Sequence, residues 1–273
     1  MVPKLPSEPG AELPAATSII GTRIHQTSYG NTVALVHRWA TDRASRYICV
    51  ATVYNVMYAW DSPEFRKATN GADITTPDGM PLVWALKFTG FRDATRVYGP
   101  DLTPLVLRMA EQQEFPVGFY GAAPDVLERL VNIIRTQFPA LRIAYAFSPP
   151  FRPPTREEDI ETVNAINSAG VRILFVGLTT PKQDFWMAAH RDRIQAVMLG
   201  VGAAFDFLSG SKPQAPRWMM RIGMEWFFRL VTEPRRLWKR YLKHNPRFVA
   251  LFACQLLGFK LAGFKTGEHD VSR

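Results

Sequence analysis

The sequence predicts an α/β fold with a mostly parallel sheet covered by helices on both faces, followed by a helical C-terminal appendage. Three observations carry this expectation. Short β-branched and aromatic runs alternate with longer helical stretches between residues 47 and 201, which is the rhythm of strand–helix–strand units. Glycine- and proline-marked turns separate them. After Gly210 the strand signal stops and only helical stretches remain. A chain of 273 residues, 47% hydrophobic, allows one large domain, or one domain plus an appendage, with a sizeable core.

The elements follow in order. Residues 1–30 open with a Pro- and Ala-rich stretch that has no apolar h-region, and read as a disordered leader rather than a signal peptide. The α/β core is assigned to 31–211. Residues 47–54 (YICVATVY) form a buried strand, and Asn55 to Asn70 a helix with a break at Asp61-Ser62-Pro63. A strand over 72–76 runs into the turn Thr76-Pro77-Asp78-Gly79, then a helix extends to about Phe88. Asp101 is the expected N-cap of a helix through Gln113. Strands over 116–120, 141–146, 171–176 and 196–201 then alternate with helices over 124–137, 155–169 and 181–193. Thr155 and Glu158 have capping-box spacing. The appendage covers 212–273, with helices expected over 217–231, 234–243 and 246–259. No uninterrupted apolar run reaches the roughly 18 residues of a spanning helix, and the longest is Phe248 to Phe259.

Charge separates the two parts. Between Lys212 and Lys265 there are twelve basic residues and two acidic ones, Glu225 and Glu233, so this stretch carries +10 of a net +9. A near-neutral body with a basic tail expects an anionic partner, such as a phospholipid surface, a nucleic acid or a phosphate-bearing substrate. Cys49 and Cys254 make no disulfide framework and have no metal-ligand spacing.

In a parallel sheet, ligands bind at the carboxyl ends of the strands. Four loops there carry glycines or polar groups: 76–79, 120–124, 177–183 and 200–206. Glycine lets the backbone approach a ligand closely, and helix N-termini present free N–H groups to phosphates. Each loop also has a plainer reading. Asp78 caps the next helix, and Gln183 is a solvated first-turn residue. Asp206, between Phe205 and Phe207, needs a partner if buried. P-loop, GxGxxG, HExxH and GxSxG motifs are missing, and so is the DxD pattern of metal-dependent enzymes.

Taken jointly, ADITTPDGMPLVWALKFTG (72–90), RVYGPDL (96–102), FYGAAPDVLERL (119–130), VGLTTPKQDFW (176–186), GVGAAFDFLSG (200–210) and APRWMMRIGMEWFFRLVTEPRRLWKRYL (215–242) resemble the WecG/TagA/CpsF family, glycosyltransferase family 26. The likeness spans roughly residues 45–250. It implies a Rossmann-like core and an inverting transferase that needs no metal or other cofactor. Such an enzyme moves a sugar from a UDP-sugar donor, N-acetylmannosamine or another hexose, to a polyprenyl-diphosphate-linked acceptor for cell-surface polysaccharide. By the same resemblance, Asp78 is the general base and Arg96 a basic catalytic-pocket residue before the GxDL motif. Gln183 and Asp206 belong to the donor pocket. Arg229 and Arg236, with Arg240, reach the diphosphate; the plainer reading makes them membrane-facing surface cations. Independently of the resemblance, the free N–H groups of the helix entries at Gly121 and Lys182 suit a phosphate. The family's T-x-N pattern is altered to Thr52-Val53-Tyr54-Asn55, so either Thr52 or Asn55 fills that role.

Trp218, Trp226, Phe227, Phe228, Trp238, Tyr241 and Phe248 interleave with arginines and lysines in the tail. Such a segment suits peripheral attachment to an anionic membrane surface, here expected at the cytoplasmic face of the bacterial inner membrane. Homo-oligomerisation stays open. A nucleic-acid-binding protein is the rival class, disfavoured because no RRM, KH or zinc-finger signature is present. A non-catalytic scaffold of a polysaccharide assembly complex is another alternative, against which Asp78 argues.

Overall fold

The computed structural model describes residues 12–258. The start of the expected leader, and the end of the last apolar run at Phe259 and Lys260, lie outside the described residues.

The leader expectation over 1–30 is corrected from residue 16 onward. Strands β1 (Ala16–Ile19) and β2 (Thr22–His25) form an antiparallel hairpin. Its two turn residues, Ile20 and Gly21, both have positive φ (47° and 78°), as the tightest hairpin turns require. Ile20 is uncommon there. It is buried, and its N–H donates to Gln255 Oε1 at 2.7 Å. Ile19, Ile20 and Ile24 pack with Leu82, Leu86 and Phe252. These partners are distant in sequence, so local composition gave no sign of the hairpin.

Ser28 caps α1 (Tyr29–Thr41) by accepting the Asn31 N–H. The core then alternates as β3 (Arg46–Ala51), α2 (Val53–Asp61), α3 (Pro63–Asn70), β4 (Ile74–Pro77), α4 (Met80–Phe88), α5 (Gly99–Gln112), β5 (Val117–Gly121), α6 (Pro124–Gln137), β6 (Ile143–Phe147), α7 (Arg156–Ser168), β7 (Ile173–Gly177), α8 (Lys182–His190), β8 (Val197–Gly200) and α9 (Ala204–Leu208). The helix break at Ser62-Pro63 falls where expected, with Ser62 accepting the Phe65 N–H. Asp101 is not the N-cap of α5. Tyr98 holds that position, and Asp101 sits in the first turn, paired with Arg217 at 2.6 Å.

The main sheet has six strands in the order β4-β3-β8-β7-β5-β6, all parallel. Alternation along each strand feeds two separate cores, as expected of a parallel sheet covered on both faces. Ile173, Phe175 and Leu199 face one, and Leu174, Val176 and Met198 the other. This is a Rossmann-like α/β architecture.

The appendage has three helices among the described residues: α10 (Arg217–Arg221), α11 (Glu225–Thr232) and α12 (Pro234–Leu256). The single helix expected over 217–231 breaks at Gly223, whose φ is +76°. The two helices expected beyond it are one, with Pro246 inside α12. An interior proline costs a helix about 3 kcal/mol. Here Leu237, His244, Phe248 and Phe252 bury one continuous face, and Phe248 and Phe252 join the core of α4 and the hairpin, which offsets that cost.

Candidate active site

The carboxyl ends of β3, β4, β7 and β8 open into two adjoining clefts, each closed on its far side by α11 and α12. They hold about 730 and 740 Å³ of open space and share Thr52, Asp78, Arg229 and Arg240 as a common wall. One cleft is mostly apolar, with Val53, Met80, Pro81, Met220, Trp226 and Tyr241. The other is polar, with Asn55, Tyr98, Thr179, Thr180, Gln183 and Arg236.

Asp78 follows directly from β4. It does not cap α4, whose N-cap is Gly79 without a side-chain bond. Its carboxylate meets Arg96 Nη2 at 3.2 Å, and its carbonyl oxygen accepts from Arg96 Nε. The same Nη2 reaches Glu225 Oε2 on α11 at 2.5 Å. The Arg96 guanidinium lies over the Tyr98 ring, 4.1 Å from its centre, a cation–π contact that fixes its plane. Burial pushes the Asp78 carboxyl up to about 6; Arg96 pulls down, Glu225 pushes up again, and Arg229 pulls down. Burial disfavours the Arg96 charge, but Asp78 and Glu225 outweigh it and hold the guanidinium above its ordinary value.

Thr52 is the N-cap of α2. Asn55 Oδ1 accepts both the Thr52 N–H at 3.1 Å and the Thr52 hydroxyl at 2.9 Å, while Asn55 Nδ2 donates to Thr180 Oγ1 at 3.1 Å. The altered T-x-N spacing therefore gives one hydrogen-bonded pair on the wall of the polar cleft.

Gln183, in the first turn of α8, is buried rather than solvated. Its Nε2 donates to the Gly200 carbonyl at 3.1 Å, and its Oε1 has no partner among the described residues. A Cβ on Gly202 would stand 3.3 Å from that oxygen, so glycine keeps this wall open. Asp184, beside it, is fully buried, and burial pushes its carboxyl up to about 6 against the pull of Thr180 and Cys49.

The appendage supplies cations. Arg229 and Arg240 each keep a buried Nε without a hydrogen-bond partner among the described residues. Arg240 lies 3.6 Å over the Tyr54 ring, and burial pulls it down to about 10. Buried guanidinium N–H groups without partners are costly, and their planar forks match phosphate oxygens.

Thr52, Asn55, Asp78, Arg96, Gln183, Arg229, Arg236 and Arg240 thus converge on the clefts. Gly121, Lys182 and Asp206 line neither cleft. Gly121 ends β5 at φ +123°, where a Cβ would fall 2.6 Å from the Gly177 carbonyl carbon; the glycine permits strand packing. Asp206 finds its partner in Lys212 at 2.8 Å, and Lys212 also faces Glu233, which holds Arg236 at 2.6 Å. Asp206 therefore ties the core to the start of α12. The sequence reading missed Tyr98, Thr180, Asp184 and Glu225. Glu225 had one signal, being one of only two acids in the basic stretch.

Paired clefts at the strand ends of a parallel α/β sheet, one polar and one apolar and joined at a carboxylate, stand where such folds bind their ligands. The profile of the Glycosyl transferase WecG/TagA/CpsF family matches residues 17–261, and the chain belongs to that family of glycosyltransferases. A similar protein from Bacillus spizizenii (strain W23) is 33% identical over 192 residues, covering 70% of this chain and 72% of the relative. Another from Bacillus subtilis (strain 168) is 31% identical over 174 residues, covering 63% and 66%. Each is named an N-acetylglucosaminyldiphosphoundecaprenol N-acetyl-beta-D-mannosaminyltransferase.

Proposed function

We propose that this protein is an inverting, metal-independent glycosyltransferase. It moves a hexose, N-acetylmannosamine as in the named relatives or a close analogue, from a UDP-sugar to a polyprenyl-diphosphate-linked acceptor. The observation that carries the reading is Asp78, held where the polar and apolar clefts meet, with Arg229 and Arg240 on the same wall, each with a buried Nε that has no hydrogen-bond partner among the described residues.

The polar cleft takes the nucleotide sugar. Thr52, Asn55, Thr180 and Gln183 offer the hydrogen bonds that sugar and base edges need. The apolar cleft takes the acceptor's lipid-proximal end, against Met80, Pro81 and Trp226. Asp78 accepts the proton of the acceptor hydroxyl as that oxygen attacks the anomeric carbon on the face opposite UDP. A carboxyl raised to about 6 is a stronger base than an ordinary aspartate and is still ionised at neutral pH. The bond from the anomeric carbon to the UDP oxygen breaks with inversion, and the leaving diphosphate gains charge. Arg229, Arg236 and Arg240 meet that charge in place of a divalent cation.

The same tail supports attachment at the cytoplasmic face of the inner membrane. Trp218, Ile222, Phe227, Trp238 and Leu242 are exposed, and so are Arg221, Lys239 and Lys243 between them. Among the described residues, no helix is long and apolar enough to cross a membrane. The test is transfer from a panel of UDP-sugars to a short-chain polyprenyl-diphosphate-linked N-acetylglucosamine, read by mass with and without chelator. Chelator-resistant addition of one hexose supports the proposal; failure with every donor, or dependence on divalent metal, counts against it.

A further inference from the structure

We propose that Glu225 is a positioning residue for this reaction: from the first turn of α11 it draws the Arg96 guanidinium away from Asp78, so the base is set only when the appendage is seated. The proposal rests on Asp78 acting as the base.

The geometry is a shared donor. A single nitrogen, Arg96 Nη2, serves Asp78 Oδ1 at 3.2 Å and Glu225 Oε2 at 2.5 Å. The shorter contact goes to the appendage. All three side chains are 13–16% exposed, so their mutual field is weakly screened. Two carboxylates on one guanidinium leave this cluster with a net negative charge. Without Glu225, Arg96 would belong to Asp78 alone, as an ordinary ion pair that quenches a base.

The groups facing Asp78 come from four elements. Arg96 and Tyr98 lie on the loop before α5, Tyr29 on α1, Glu225 and Arg229 on α11, and Arg240 on α12. Burial holds both phenols above their ordinary range, so they are neutral. Glu225 is therefore the negative neighbour in this set, and the cations oppose it. Arg229 stands four residues beyond Glu225, on the same face of α11, and lines both clefts. The helix that places Glu225 on Arg96 therefore also places Arg229 on the common wall of both clefts. Glu225 has no role in the family resemblance drawn from the sequence, and a purely structural tie to α11 would leave the base's titration unchanged.

The experiment is the pH dependence of turnover for wild type, E225Q, E225D and D78N, with folding checked by circular dichroism and thermal midpoint. Wild type should lose turnover as pH falls through about 6. In E225Q the limb should move to lower pH by about one unit, because the charge that raises the base is gone. Turnover on the plateau should fall several-fold, because a weaker base transfers the proton less readily. E225D, with its carboxylate kept but withdrawn, should lie between the two. An E225Q limb coincident with wild type overturns the inference; should E225Q not fold, an E225D limb coincident with wild type does so. A D78N residue of activity that keeps the wild-type acid limb instead sinks the base assignment, and the inference with it. Loss of the limb in D78N alongside an unmoved E225Q limb rejects Glu225 alone.

Discussion

Asp78 and Arg240 show how single residues at this site are held in costly states. Asp78 is a carboxylate that burial would rather protonate. Arg240 is a cation with a buried N–H that has no partner among the described residues, supported mainly by the face of Tyr54. Such costs are retained where a ligand relieves them. Arg240→Lys keeps the charge but removes the fork and the stacking plane. Its kcat/KM should fall roughly 10- to 100-fold, the equivalent of about 1.5–3 kcal/mol for a charged hydrogen bond. Sedimentation with anionic vesicles should hardly change. Equal loss in both assays would return Arg240 to the role of a surface cation. Asp78 and Arg229 were named from the sequence only through the family resemblance, since by local pattern alone a carboxylate after a strand also reads as a helix cap and a tail arginine as a surface cation. Glu225 was not, since its partner Arg96 lies 129 residues away and nothing local announces the pairing.

At the scale of elements, glycines set how closely the strand ends approach. Gly121 and Gly177 meet backbone to backbone at the ends of β5 and β7. Gly121→Ala places a Cβ 2.6 Å from the Gly177 backbone at φ +123°. We expect a loss of about 2–4 kcal/mol, a typical cost for strain plus overpacking, read as a lowered denaturation midpoint. An unchanged midpoint would show that the strand ends relax freely. The strand–helix rhythm was readable because a parallel sheet writes β-branched runs and amphipathic helices into local composition. What escaped was set by distant contacts. The β1–β2 hairpin depends on Gln255 and Phe252. The continuity of α12 through Pro246 depends on the face that Phe248 and Phe252 bury. The break at Gly223 depends on a positive φ in tight contact with Trp84 and Met80.

Across the whole molecule, the basic appendage is part of the structure rather than a tether. It contributes Arg229, Arg236 and Arg240 to the clefts and Phe248 and Phe252 to a core. Arg247 joins it to Asp61 of α2 through two hydrogen bonds at 2.9 and 2.7 Å. Trp218, Trp226, Phe227 and Trp238, with Arg221, Lys239 and Lys243, are exposed, which leaves them available to a lipid surface. Each Lys or Arg near an anionic leaflet contributes about 1 kcal/mol, so binding should strengthen with anionic lipid and weaken with salt. Replacing Trp218 and Trp238 together by Ala should reduce vesicle binding several-fold while the denaturation midpoint holds; unchanged binding would remove these rings from the membrane contact.

The carboxylate between the two clefts is the centre of the proposed chemistry. The most direct measurement is sugar transfer from a UDP-hexose to a short-chain polyprenyl-diphosphate-linked acceptor by wild type and Asp78→Asn, both verified as folded. Transfer by wild type, reduced about 10²- to 10⁴-fold in the variant with donor binding retained, is the expected result. Near-normal transfer by Asp78→Asn would contradict it.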